Sequence, residues 1–509
     1  MTVLLVPLLL LITAAGLQFA SGSYTADFCG HPDESSHFVT SAMVSEFMRA
    51  PFQDPIAFAS QYYLQYPKVG IGHWPPLGYL LQGLWIHVLG TSRAVIMAWL
   101  LIVGTLSSWL VYELLWRQTG RFAAGVAAMA WLCAAGVQSS YQQAMMDMPA
   151  LACSLLAVLA FERYVHEPSR RASLLFGFLA ACALLVKQQA IILALLPPAY
   201  LVVSRRWTLA RHWDFWIATV PPILIAGPWY VVTTGMFYKN FTAWSGFAGH
   251  GAAATAFHAS LAWELCGVGI ALLSLVGLIG GVMRMSETHI LWSAVLLSAA
   301  VCALLFQVLN EPRHLLLGIT AQIGLACLAT QMAPVNFRPL LSLALIPLSW
   351  GWTPAPHSGY AAAAATIDAG PPGHVMLLGI GDGAVIASAA AMHPEADRHR
   401  YWLRAGKLLA DVRWSGFVSR MYYNSPAEVR DLLRRSGINQ VLVEPGHNAD
   451  EPAFALLLRK ALKEEEHEWT VESIYLRNAE ASLYRRRTPV PAQSVTVRVP
   501  RLGRSITAE

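Results

Sequence analysis

Apolar runs of roughly 15 to 23 residues recur along the chain, near 2–20, 94–115, 122–139, 148–162, 172–186, 188–204, 214–233, 260–283, 289–309, 314–331 and 338–352. A helix of about 20 residues spans the hydrocarbon of a bilayer and satisfies its own backbone there without water. The pattern therefore predicts about eleven transmembrane helices. The fifth and sixth runs form one stretch broken only by Lys187-Gln188-Gln189, so a helical hairpin must turn at that point. A further apolar stretch, 75–90, contains Gln82 and His87 and is marginal for a crossing. With Trp85 suited to the headgroup level, it reads as an interfacial helix inside a first long loop, 21–93.

Beyond residue 352 the period changes. Residues 374–379 and 438–443 read as buried strands and 426–436 as an amphipathic helix, which predicts an α/β domain over 353–485. Residues 486–509 mix Arg, Pro, Ser and Thr and read as a loose tail.

Composition supports lipid as the solvent. Of 509 residues, 56% are hydrophobic and 13% charged, against about 25% charged in soluble domains. The net charge of +5 is small and the arginines fall in short runs between spans, which marks topology signals and excludes a nucleic-acid partner. Residues 1–20 have no basic flank and read as a retained first span instead of a cleaved leader.

With the N-terminus inside, ten cations (Arg117, Arg121, Arg163, Arg170, Arg171, Arg205, Arg206, Arg211, Arg284 and Arg338) fall in cytoplasmic loops, against Lys187, Lys239 and Arg313 in the short outer ones. The odd number of spans then places the α/β domain outside. Six of the seven cysteines lie in apolar runs, and Cys29 alone supports neither a disulfide framework nor a zinc site.

On the outer side the same topology gathers Asp33-Glu34, His73, Asp147, Lys187 and Glu311-Pro312-Arg313-His314. Ionisable groups beside hydrocarbon are costly, so several on one side point to a shared site. The ordinary alternatives are a helix cap at Asp33-Glu34, a cap at Asp147 ahead of Met148-Pro149, and snorkelling cations at helix ends.

The chain resembles the GT-C glycosyltransferases that use polyprenyl-phosphate sugars: the lipid A aminoarabinose transferases, the rhizobial galacturonosyltransferases and the protein O-mannosyltransferases. The likeness runs through Asp33-Glu34, Trp74-Pro75-Pro76-Leu77, Met146-Asp147-Met148-Pro149, Leu185-Val186-Lys187, Pro228-Trp229-Tyr230 and the Arg313 region, over about residues 1–350. It implies a GT-C fold, an α-helical polytopic domain over 1–352, in the plasma or inner membrane of a cell envelope. It also implies a polyprenyl-phosphate sugar as donor and a lipid, glycan or protein hydroxyl as acceptor.

Such a transfer needs a base for the acceptor proton, while a phosphate leaves without a general acid. By resemblance Asp33 is that base and Glu34 its support, or the reverse. Lys187 and Arg313 are candidates to meet the lipid phosphate, and Asp147 to hold the acceptor or a divalent ion. Mg or Mn is left open as a cofactor, with Asp33 and Asp147 as its candidate ligands. The pattern is broken at Trp74, where a lysine is usual, and His73 stands beside it as a weaker phosphate ligand.

Gly379-Ile380-Gly381-Asp382-Gly383 lacks the third glycine of a nucleotide fingerprint and reads as a tight strand-to-helix turn. Asn240-Phe241-Thr242 is a bare glycosylation sequon. The competing function is a transporter or flippase, which would call for charges near mid-membrane and repeated halves; neither pattern is present.

Overall fold

The computed structural model describes residues 2–49, 53–70, 72–238, 255, 264–284, 286–305, 311–393, 400–412, 418–446, 451–491, 495–499 and 504–508. Lys239 and the sequon at Asn240 lie outside them. The chain divides into two compact units, one of Met1–Tyr24, Gly72–Gly78 and Met97–Ala355, the other of Thr25–Ile71, Tyr79–Ile96 and Pro356–Glu509.

The described residues of the first unit are mostly helical. Among the described residues five helices are long and apolar enough to cross a membrane: Arg93–Cys133, Asp147–His166, Trp213–Thr234, Glu287–Leu305 and Arg313–Thr330. Shorter apolar helices occupy the other expected spans, at Leu5–Ala20, Gln188–Ser204, Val268–Gly281 and Val335–Ser349, and at Arg170–Val186. The 41-residue helix is two helices joined at Gly120, whose φ of 83° and ψ of 159° break the hydrogen-bond ladder. A positive φ there suits glycine, which has no Cβ to clash.

Small residues let these helices approach closely, as in membrane bundles generally. A Cβ on Gly277 would lie 2.1 Å from the Leu325 carbonyl oxygen, and one on Gly177 would lie 2.2 Å from that of Ala218. The buried indole of Trp131 donates to Thr320 Oγ1 at 2.9 Å, so its polar edge is satisfied without water.

The second unit is built on a five-stranded sheet. Its order is Trp402–Arg404, His374–Leu378, Ile438–Val443, Ala479–Arg486 and Trp469–Leu476. The first three strands run parallel and the last two are added antiparallel. His374–Leu378 and Ile438–Val443 are buried at every position, the mark of central parallel strands covered on both faces. The helix Pro426–Arg435 turns Val429, Leu432 and Leu433 inward.

Two features differ from the sequence reading. The residues expected as a loose tail, 486–509, contain an antiparallel hairpin of Val495–Val499 with Arg504–Ala508. Val495 and Val497 enter the domain core at 1% exposure each. The Val-Thr-Val-Arg-Val alternation has the period of a half-buried strand, and that pattern outweighs the polar composition.

The compact units also cut across the linear boundaries 1–352 and 353–485, because most of the first long loop belongs with the α/β region. The carboxylate of Asp27 accepts from the N–H groups of Ser358, Gly359 and Ala361 at 2.6, 2.9 and 2.8 Å. Leu64 enters the core of the sheet domain.

The 75–90 stretch forms a helix at Leu77–Leu89, about 20 Å long at 1.5 Å per residue and short of the roughly 30 Å hydrocarbon core. It buries Tyr79, Gln82 and Ile86 and exposes Leu80, Leu81, Leu84 and Val88.

Candidate functional site

The candidate residues fall into two clusters, one in each unit. In the loop-and-sheet unit, Asp33 immediately precedes the helix Glu34–Arg49. Its carbonyl accepts from His37 N at 2.9 Å and its own N–H donates to His31 Nδ1 at 3.0 Å. The His31 ring nitrogen lies 3.7 Å from Asp33 Oδ2. Asp33 is 5% exposed, so this is no surface cap.

Glu34 is fully buried. One of its oxygens pairs with Arg93 Nη1 at 3.0 Å and the other accepts from Gly30 N at 2.8 Å. Arg93 in turn stacks over Phe28, 5.0 Å from the ring centroid. The two neighbouring acids thus have different surroundings: Glu34 is tied into a charge pair and a peptide N–H.

In the helical unit, Asp147 opens the helix Asp147–His166 and is fully buried. Lys187 Nζ donates to its Oδ2 at 2.6 Å, and Arg313 Nη1 lies 4.0 Å from the same oxygen. Lys187 reaches it because the helix Arg170–Val186 stops there, with Lys187 extended at φ −157° and ψ 141° before a 3-10 turn, Gln188–Ile191. That is the hairpin break expected from length.

Arg313 stands in the 3-10 turn Pro312–Leu315 that precedes the helix Leu316–Thr330. Its Nε donates to Glu311 at 2.6 Å. Asp147, Lys187 and Arg313 therefore come together, and buried His314 stands next to them. His73 lies in the same unit, its ring edge-on to Trp74 at 4.4 Å and its carbonyl accepting from Gln188 Nε2 at 2.7 Å.

The donor set around Asp147 does not suit a divalent ion. Mg and Mn favour several oxygens, whereas the nearest charges to Asp147 are cations. Among the described residues no three His, Cys, Asp or Glu side chains converge.

The glycine turn after the first strand is filled by the protein itself. Glu444 accepts from Gly381 N at 3.0 Å, in the place an anion would take at a helix start. A Cβ at Gly379 would lie 2.3 Å from Glu444 Cδ, and one at Gly381 would lie 2.0 Å from the Tyr360 ring. Burial pushes the Glu444 carboxyl up, against the Gly381 N–H that it accepts. The turn is a packing device and not a nucleotide cradle.

Sequence reasoning passed over three cations in the loop-and-sheet unit. Arg93 stands at the edge of an apolar run and reads as a span flank. Arg404, paired with Asp382 at 2.6 Å, and Lys68 belong to no motif. Burial, helped by Arg404, pushes the Lys68 amine down to about 8 while Asp382 and Asp33 oppose the shift.

Residues 73–231 match the family described as dolichyl-phosphate-mannose-protein mannosyltransferase. In structure the chain is similar to ArnT from Cupriavidus metallidurans bound to undecaprenyl phosphate, with a TM-score of 0.60 at 14% identity, over 96% of this chain and 99% of that one. The apo state of that protein matches with a TM-score of 0.58 at 13% identity, over 94% and 97%. The Archaeoglobus fulgidus oligosaccharyltransferase in complex with Zn and sulfate matches with a TM-score of 0.55 at 12% identity, over 94% of this chain and 73% of that one. A comparison with curated protein sequences finds no match. The chain thus has the fold of ArnT and of the oligosaccharyltransferase, and across residues 73–231 it matches the mannosyltransferase family.

Proposed function

We propose that the chain transfers a sugar from a polyprenyl-phosphate donor to an acceptor hydroxyl on the extracytoplasmic side of the cell membrane. The observation that supports this reading is the division of the Asp33-Glu34 pair. Glu34 is held by Arg93 and the Gly30 N–H, which suits a supporting role and favours Asp33 as the base. Asp33 takes the proton of the acceptor hydroxyl as its oxygen attacks the anomeric carbon. The bond from that carbon to the phosphate oxygen breaks, and the electron pair stays on polyprenyl phosphate, an acidic leaving group.

Charge that grows on the phosphate calls for cations in the transition state. Lys187 and Arg313 are proposed for that task, with Asp147 holding both in place. The arginine bias of the alternate loops supports the orientation.

The test is to incubate the purified full-length protein with defined polyprenyl-phosphate sugars and an acceptor lipid, glycan or peptide. Release of polyprenyl phosphate with a glycosylated acceptor is expected. Movement of the intact donor lipid across a vesicle membrane without its cleavage would replace this reading with a transporter.

A further inference from the structure

At the end of the helical unit far from Asp147, a cavity of about 420 Å³ opens between three helices, within the size range of small-ligand sites. Its walls come from Arg93–Cys133 just before the break at Gly120, from the last turn of Asp147–His166 and from the first turn of Glu287–Leu305. Glu162, in the wall, shares its helix with Asp147 and stands about 22 Å from it along the axis at 1.5 Å per residue. The cavity is therefore separate from the Asp147 cluster. On the orientation proposed above it faces the cytoplasmic leaflet.

The lining carries charges of both signs. Arg117, Arg163 and Glu167 are exposed and form the rim, whereas Glu162 and Thr288, each 8% exposed, form the floor. Arg117, Arg163 and His166 attract Glu162, and Glu113 repels it. Among the described residues none of those attractions closes to a contact ion pair. Glu287, the third acid of the lining, is already held by Arg206 at 2.9 Å and by the Tyr200 hydroxyl. A carboxylate sunk at the edge of hydrocarbon is costly, and the C-terminal carbonyls of its helix add negative potential beside it. Both favour a cation that donates N–H at the floor, while the two rim arginines favour an anion outside it.

We propose that this cavity binds the zwitterionic phosphoethanolamine headgroup of a membrane lipid, ammonium inward against Glu162 and phosphate outward against Arg117 and Arg163. The order of charges fits that headgroup. Its ammonium is the terminal group, and its phosphate lies on the side of the acyl chains, which then run back into the bilayer. A headgroup with no ammonium leaves the floor carboxylate without a donor, and a trimethylated one has no N–H to give. Basic pockets between spans at this level are suited to lipid headgroups, and the acid at the floor selects among them. Because the walls come from three helices, the bound lipid ties their ends together and stabilises the folded bundle by mass action.

The experiment measures, by native mass spectrometry, the binding of phosphatidylethanolamine, phosphatidylcholine and phosphatidylglycerol with the same acyl chains to delipidated full-length protein in detergent. Phosphatidylethanolamine is expected to bind about tenfold more tightly than either of the others. Glu162→Gln keeps the size and removes the charge, so it should weaken phosphatidylethanolamine about tenfold and leave phosphatidylcholine unchanged. Should that variant aggregate, the double variant Arg117→Gln, Arg163→Gln alters only exposed side chains and should weaken phosphatidylethanolamine by a similar factor.

Equal binding of the three lipids, or a preference for phosphatidylglycerol, overturns the inference. So does wild-type affinity for phosphatidylethanolamine in the Glu162 and rim variants. Free glycerophosphoethanolamine that competes as strongly as the lipid overturns the membrane as the source of the headgroup. The proposed sugar transfer stands or falls separately from all of these.

Discussion

In the helical unit the fully buried carboxylate, Asp147, faces Lys187 at 2.6 Å and Arg313 at 4.0 Å. In the loop-and-sheet unit the fully buried carboxylate, Glu34, pairs with Arg93 at 3.0 Å, and one peptide N–H donates to its other oxygen. The first arrangement brings two cations to one buried acid, and Arg313 also pairs with Glu311, 43% exposed, at 2.6 Å. The second brings one cation to its buried acid. A single buried pair fixes the position of its elements, whereas two cations gathered at one point can also meet an anion. Burial and an ion pair are common to both, so the number of cations that gather at the acid is what separates a brace from a candidate binding cluster.

Breaking the Glu34–Arg93 pair should have the largest effect. Glu34→Ala leaves Arg93 buried without its partner, and the expected loss is about 3–5 kcal/mol of stability, read by denaturant or thermal unfolding of the purified protein. Unchanged stability would mean that Glu34 is not a brace. Asp33→Asn keeps size and removes the basic oxygen, so turnover should fall at least about a hundredfold. Donor binding should survive, and full activity with the true donor would move the base to Glu34 or Asp147.

Arg313→Ala should lower donor affinity and rate together, by about tenfold each, because a phosphate contact acts in the ground state and strengthens as charge grows. A variant altered in rate alone would instead place Arg313 outside donor binding.

Much of this was legible from residue order. Apolar run length located the helices, including the break at Lys187, because a helix in lipid must carry a minimum length and cannot end without a polar exit. The strand at 374–378 and the helix at 426–435 followed from periodicity. The docking of the first loop on the sheet did not, since the three N–H groups that bind Asp27 lie 331 to 334 residues away and leave no local pattern. The hairpin at 495–508 did leave one, in alternating valines that a count of Arg and Pro obscured. Arg93 and Lys68 stayed hidden for a different reason: a lone cation gains meaning only from the acid it meets across space.

The smallest effect separates two ways in which the loop-and-sheet unit holds a buried ionisable group. Glu34 is paired with Arg93; His374, at 6% exposure, is held neutral. Its Nδ1 accepts from Tyr401 N at 3.1 Å, and its ring stacks on Tyr401 at 4.5 Å. Burial, with Arg400 adding repulsion, pushes its imidazole down to about 4. An unfolded histidine titrates near 6.5, so between that pH and about 4 the unfolded chain binds more protons than the folded one. Stability of the sheet domain should therefore be intact above pH 7 and decline as the pH falls below about 6.5, approaching 1.4 kcal/mol per pH unit near pH 5 and levelling off below about 4. Hydrogen exchange of the strands 374–378 and 438–443 in the full-length protein, corrected for the intrinsic pH dependence of exchange, reads this directly. His374→Phe removes the titrating group and should flatten the decline. A slope that persists in the variant would assign it to another group and leave His374 with no part in it.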